Sequence, residues 1–431
     1  MDKIKIGKSK LPLKGSIKIG GSKNAALPLM AASILTDDMI ELGNLPHLGD
    51  ISTMINLLIQ HGVEITINGC DDKLGGGSAR VINLFAQNIN NFIAPYHIVC
   101  KMRASILVLG PLLARFGYAK VSLPGGCAIG TRPIDLHLKA LEKMGATINL
   151  EQGYIEATAA NGLTGAEINF SKISVGATEN ILMAACLASG TTIINNAACE
   201  PEVTDLANCL VSMGADIEGI STNQLIIKGV EKLHGTKYDV ISDRIEAGSY
   251  AAIAAVTGGD LDITGIDEAT ISSFSSVYEQ LGVVFTKIPN GYNVHKKSSN
   301  EKLSLNVDTQ PYPGFPTDLQ APLMVLMAFS NGQFSITENI FENRFMHVPE
   351  LCRMGADIKV NANKAIIKGD TKFKAAEVMA TDLRASICLI IAGLIAEGQT
   401  IVNRVYHLDR GYEWVEDKLS SCGAIISRVS N

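Results

Sequence analysis

Two hydrophobic patterns recur along the chain and keep step with each other. The first is a helix crowded with small residues and apolar on every side: SKNAALPLMAASIL, MRASILVLGPLLA, ATENILMAACLASG, RIEAGSYAAIAAVTGG, LQAPLMVLMAFSNG and LRASICLIIAGLIAEG. Ala and Gly let backbones approach closely, and a helix apolar all round belongs in an interior. The second pattern is an amphipathic turn that ends in Gly and runs into a β-rich stretch. It reads LIQHGVEITI, LEKMGATINL, LVSMGADIEG, YEQLGVVFTK, LCRMGADIKV and LSSCGAIISR. Its glycines are Gly62, Gly145, Gly214, Gly282, Gly355 and Gly423, where a left-handed residue ends a helix cheaply.

Those glycines are 83, 69, 68, 73 and 68 residues apart, so the chain is a sixfold repeat whose first unit carries an insertion around Gly75 to Ser78. Each unit reads as helix, strand, helix, hairpin. Such an α+β unit cannot bury its apolar helix alone, but three of them around a pseudo-threefold axis can enclose their helices behind outward-facing sheets. A solenoid is the competing arrangement, and units of this length argue against it. The expected fold is therefore α/β, with two domains of three α+β repeats and a ligand cleft between them. The boundary falls near Tyr238 to Asp243. The first domain spans 23–240, and the second takes 241–431 together with the N-terminal strand in 1–22.

Composition narrows the function. A chain of 431 residues that is 47% hydrophobic has ample material for two cores. A net charge of −6 argues against a dominant basic surface for nucleic acid or anionic membrane, so an anionic ligand must meet locally placed cations. The longest apolar run, after Arg384, is too short to span a bilayer, and MDKIKIGKSKLPLKG lacks a signal-peptide core. A cytoplasmic location is expected. Nine cysteines without CxxC or Cys/His pairing suggest neither a zinc site nor a disulfide framework, and mostly inert core thiols in a reducing compartment; no metal and no cofactor are expected.

Arginine is scarce, 11 against 26 lysines, so its placement is informative. Arg103, Arg244 and Arg384 open small-residue helices in their own units, and Arg132, Arg344 and Arg410 lie in nearby loops. Brought together, these guanidinium groups suit bidentate capture of phosphate and carboxylate. Arg244 with Glu246 and Arg353 with Asp357 are the structural pairings expected instead. The turn Gly20-Gly21-Ser22-Lys23-Asn24 offers N–H groups and an ammonium to an anion, or serves as an ordinary cap. In LPGGCAIGTRP, Cys127 stands in a loop of glycines and prolines five residues from Arg132; it is either a reactive thiol or a bystander. Asp318, in PGFPTD, is either a helix cap or a rigidly held base.

The strings GGSKNAALPLMAASIL, LPGGCAIGTRPIDLHL, SVGATENILMAA, PGFPTDLQAP, FENRFMHVPEL and TDLRAS resemble the enolpyruvyl transferases that act on UDP-sugars. They run in family order over nearly the whole chain. The resemblance implies a pair of inside-out α/β barrels and transfer of enolpyruvyl from phosphoenolpyruvate to UDP-N-acetylglucosamine. It also implies roles. Lys23, Asn24, Arg103, Arg132, Arg384 and Arg410 match phosphoenolpyruvate-binding positions. Asn24, Arg103, Arg132, Pro133, Ile134, Asp135, Lys172, Ser174, Val175, Gly176, Asp318 and Ile340 match contacts to the UDP-sugar. Cys127, Asp318, Lys23 and Arg410 match catalytic positions, with Cys127 the thiol alkylated by fosfomycin. The sister family that uses shikimate 3-phosphate has no such cysteine loop and normally begins GSKS.

Overall fold

The computed structural model describes residues 2–8, 12–69, 80–123, 133–298 and 301–430. The insertion near Gly75 and the loop bearing Cys127 and Arg132 lie outside those residues.

Among the described residues the strands form six four-stranded sheets, one per repeat. The third unit illustrates the plan. Strand Glu167–Asn169 leads into the buried helix Val175–Ala185, then strand Thr191–Asn195, helix Pro201–Ser212, and the hairpin Asp216–Glu218 with Gln224–Lys228. The first two strands are parallel, and the hairpin adds antiparallel through its second strand. The unit thus has a leading strand that the sequence pattern did not reveal: Glu-Ile-Asn is too short to show a period. All six repeat glycines have positive φ, from 84° at Gly282 to 105° at Gly62, as the helix-ending role requires.

Strands are passed between units. Thr236–Asp239, after the third hairpin, pairs in parallel with Ile40–Gly43 of the first unit. At the N-terminus, Lys3–Gly7 lies antiparallel between Gln399–Asn403 and Ile425–Val429, completing the sixth sheet. Lys14–Lys18 runs parallel to Asp260–Thr264 in the fourth unit.

The small-residue helices form the interior. Helix Arg244–Val256 is buried at every residue, and Leu383–Ile395 is buried from Arg384 to Leu394. Where helix Leu109–Phe116 crosses Val175–Ala185, a Cβ on Gly110 would stand 2.4 Å from the Asn180 carbonyl oxygen, so the backbones meet where only hydrogen fits. Buried apolar residues fall into two clusters. One runs from Ala25 to Val240; the other joins Ile4–Ile19 to Ile245–Ile426.

The chain crosses between the clusters twice, and the crossings are paired. Ser22 N donates to Ile241 O at 2.7 Å, and Asp243 N donates to Gly20 O at 2.9 Å. A Cβ on Gly21 would stand 1.9 Å from the Asn44 carbonyl oxygen, so this position tolerates only glycine.

Candidate active site

Beside this crossing the chain gathers its charged groups. Lys23 is the first residue of helix Lys23–Ala32, and its ammonium is 3.3 Å from Asp50 Oδ2. Asp50 stands in the first turn of helix Gly49–His61, where an acid suits the helix dipole. Its other partner arrives from the far end of the chain: Arg410 Nε donates to Asp50 Oδ1 at 2.8 Å and Nη2 to Oδ2 at 3.4 Å. One carboxylate therefore holds two cations from opposite clusters. The sequence reading missed Asp50 because it looks like any first-turn acid.

Asp318 lies in the 3₁₀ turn Thr317–Leu319 and caps nothing with its side chain. It accepts from Arg344 Nη2 at 2.5 Å and from Arg384 Nη2 at 3.0 Å. Arg384 also donates to the Tyr412 hydroxyl at 3.3 Å, which is 2.7 Å from Ser249 Oγ. Glu338 secures the turn by accepting from Thr317 Oγ1 at 2.9 Å, and it accepts the Ile340 N–H at the same distance. Ile340 is thereby tied to the Asp318 turn.

The two ion-pair groups share one field. Burial lowers the Lys23 pKa, Asp50 raises it, and Arg384 and Arg410 lower it further. Burial raises the Asp50 and Asp318 pKa values, but the cations prevail. Lys23 and Arg410 hold Asp50 below the usual carboxylate range, and Arg384 and Arg344 hold Asp318 well below it. Lys23, Arg344, Arg384 and Arg410 bring four cationic groups to Asp50 and Asp318, with Asp243 also acting on Arg384, so cationic groups outnumber these carboxylates, which suits an anion.

A second group surrounds His137, on helix Asp135–Lys143. Burial and then Arg103 push its pKa down to about 4, while Asp135 opposes them, so the ring is neutral at physiological pH. A Cβ on Gly176 would touch His137 Nε2 at 3.4 Å. Ser174 caps helix Val175–Ala185 by accepting from Ala177 N at 3.4 Å. Arg103, Ile134, Asp135, Ser174, Val175 and Gly176 thus come from three elements packed on one another. Pro133 and Lys172 are exposed, and Asn24 is half-buried beside Lys23. Cys127 and Arg132 are outside the described residues.

Three expectations need correction. Arg244 does not pair with Glu246. Its Nε and Nη2 hold Glu202 at 3.0 and 3.2 Å, because residues two apart on a helix face different ways. Arg353 donates to the Glu377 carbonyl at 3.1 Å rather than to Asp357, which begins an outer strand. The N–H groups of Gly20 and Ser22 are not offered to an anion: Glu246 Oε2 takes the first at 3.0 Å and Ile241 O the second. The expectation of buried thiols holds at Cys186, Cys209, Cys388 and Cys422 but not at Cys100 and Cys352, which are exposed; burial pushes the Cys186 pKa up to about 12 and raises that of Cys388 well above its ordinary value.

The family model for EPSP synthase (3-phosphoshikimate 1-carboxyvinyltransferase) matches residues 8–419. The chain belongs to the EPSP synthase family of enolpyruvyl transferases. Within the family, a Paramagnetospirillum magneticum protein named UDP-N-acetylglucosamine 1-carboxyvinyltransferase is 58% identical over 431 residues, covering 100% of this chain and 99% of its own. A Granulibacter bethesdensis protein of the same name is 56% identical over 430 residues, covering 100% of both. Among solved structures, the enolpyruvyl transferase NikO from Streptomyces tendae superposes with a TM-score of 0.88 at 23% identity, covering 100% of this chain and 99% of its own. EPSP synthase from Acinetobacter baumannii gives 0.73 at 21% over the whole of both chains. These establish the fold as the family's pair of inside-out α/β barrels, in line with the six repeats. No helix among the described residues is long and apolar enough to cross a membrane.

Proposed function

We propose that this chain transfers the enolpyruvyl group of phosphoenolpyruvate to the 3′-hydroxyl of UDP-N-acetylglucosamine and releases phosphate, the first committed step toward peptidoglycan precursors, in the cytoplasm. The observation that carries the reading is the convergence of Lys23, Arg344, Arg384 and Arg410, from two separate cores, on Asp50 and Asp318. The acceptor follows from the relatives at 53–58% identity, whose names specify it.

In this reading residues 23–240 form one domain, 1–22 with 241–431 form the other, and substrate lies between them. Lys23, Asn24, Arg103, Arg132, Arg384 and Arg410 bind phosphoenolpyruvate. Arg103 and Arg132 also serve the UDP-sugar, with Asn24, Pro133, Ile134, Asp135, Lys172, Ser174, Val175, Gly176, Asp318 and Ile340. The sugar hydroxyl attacks C2 of phosphoenolpyruvate while its proton passes to Asp318. C3 gains a proton from Cys127, giving a tetrahedral ketal; phosphate then leaves with the proton held by Asp318 while a C3 proton returns to the Cys127 thiolate, which re-forms the carbon–carbon double bond of the enolpyruvyl ether. Lys23 and Arg410 stabilise the departing phosphate, an electrostatic contribution that is often the largest in an enzyme. Asp318, held ionised by two guanidinium groups, is a weak base until substrate anions draw those groups away; substrate binding thus raises its basicity.

The test is phosphate release measured with phosphoenolpyruvate and each acceptor. Turnover with UDP-N-acetylglucosamine and none with shikimate 3-phosphate is expected. The opposite result assigns the chain to the other acceptor class, and tight UDP-sugar binding with no phosphate release shows a binding protein.

A further inference from the structure

Next to the anion-binding cluster lies a second set of charged groups that the reaction does not use. Lys418 is buried, and its ammonium donates to Glu246 Oε1 at 2.7 Å and lies 3.9 Å from Glu413 Oε1. Glu246 Oε2 accepts the Gly20 N–H, and Glu413 Oε2 accepts the His47 N–H at 2.8 Å. The His47 ring meets the edge of Trp414 at 5.1 Å. Glu413 Oε1 is buried without a hydrogen-bond partner among the described residues, and a Cβ on Gly20 would stand 2.5 Å from it. A small gap between Glu413, Glu246 and Gly21 has room for about one water molecule.

The spacing along the chain connects this set to the active site. Gly20 precedes Lys23 by three residues, His47 precedes Asp50 by three, and Glu413 follows Arg410 by three. Three residues reach at most about 10 Å, so each arm is short. Every member of the Lys23–Asp50–Arg410 cluster is thus attached, through one such arm, to a point touching the Glu413 carboxylate.

Building on the proposed function, we propose that Glu413 is a positioning residue that sets the mutual placement of Lys23, Asp50 and Arg410 for the phosphate of phosphoenolpyruvate. It touches no reacting atom. Its carboxylate acts as a fixed spacer: one oxygen holds the His47 backbone, and the other fills the space that a side chain at position 20 would take. Effective orientation is steep in distance, since a misplacement on the order of 1 Å can cost about a hundredfold in rate.

The test uses the full-length chain and four variants. Glu413→Asp withdraws the carboxylate by one methylene. Gly20→Ala pushes a methyl against Oε1. Glu413→Gln keeps the size and the acceptor for His47. The fourth is the double variant Gly20→Ala/Glu413→Asp. Expected results are KM for phosphoenolpyruvate and Kd for inorganic phosphate raised about tenfold in each of the first two, with calorimetric affinity for UDP-N-acetylglucosamine unchanged. Glu413→Gln stays near wild type, and the double variant is less impaired than the two effects added, because the shortened side chain makes room for the methyl. Unchanged phosphate affinity in Glu413→Asp, or equal losses in both substrates and in the melting temperature, overturns the proposal. Phosphate affinity is read without turnover, so an inactive wild-type chain refutes the proposed function while leaving this test intact.

Discussion

Replacing Asp50 by Asn should separate the stability of the resting site from its affinity for anions. Asp50 is buried, and it is the counter-ion of Lys23 at 3.3 Å and of Arg410 at 2.8 Å. Removing one partner of a buried pair costs about 3–5 kcal/mol, most of it from the charge left behind. The Lys23 side chain is only 12% exposed, but Arg410 is 39% exposed and its share is screened by water. The net expectation is a loss of about 2–4 kcal/mol, or roughly 5–10 °C in melting temperature for a unit of this size. Because the folded pKa of Asp50 is depressed, its contribution is present above the unfolded value near 4 and disappears as pH falls below it. The variant and wild type should therefore converge in acid. Phosphate supplies the missing negative charge, so adding it should raise the melting temperature of Asp50→Asn more than that of wild type, where the ligand must first displace the carboxylate. Scanning calorimetry at neutral and acidic pH, with and without phosphate, reads all three effects. Equal phosphate shifts in the two proteins would refute the idea that Asp50 occupies the anion's place.

Asp318→Asn should lower kcat far more than it changes the KM for either substrate, as steady-state phosphate release will show; a variant with normal kcat removes Asp318 from the chemistry. Gly110→Ala forces a methyl to 2.4 Å from the Asn180 carbonyl and should cost about 1–3 kcal/mol or more, measurable by urea unfolding. Lys296, whose pKa burial lowers to about 8, lies over the Phe329 ring and donates to Ser330 Oγ at 2.5 Å. Its folded value is below the unfolded one, so the wild type gains stability as pH rises from 8 to about 10. Lys296→Met should narrow that gain, seen as a flatter melting profile over this window.

The repeat was legible because each unit repeats two strong signals, an all-apolar small-residue helix and a glycine that must turn left-handed. What escaped was short or non-local. Strands of three residues such as Glu377–Met379 have no period to read. The placement of Lys3–Gly7 in the sixth sheet depends on pairing across some 400 residues. At the site, Lys23, Asp318, Arg384 and Arg410 stood out through residue type and the motifs around them. Asp50 and Glu202 did not, since each is an ordinary first-turn acid whose partner lies far along the chain. The Arg244–Glu246 expectation failed because nearness in sequence on a helix is not nearness of side chains.

The paired crossings at Gly20–Ser22 and Ile241–Asp243 have a mechanical consequence. A single tether between two bodies lets one swing and twist about the other in three angles. Two tethers laced together by hydrogen bonds act as a door hinge, with one easy rotation and stiff resistance to the others. Lys23 begins one residue beyond that hinge and Arg244 one residue beyond its return strand, so a rotation about it would carry these two cations through the shortest arcs.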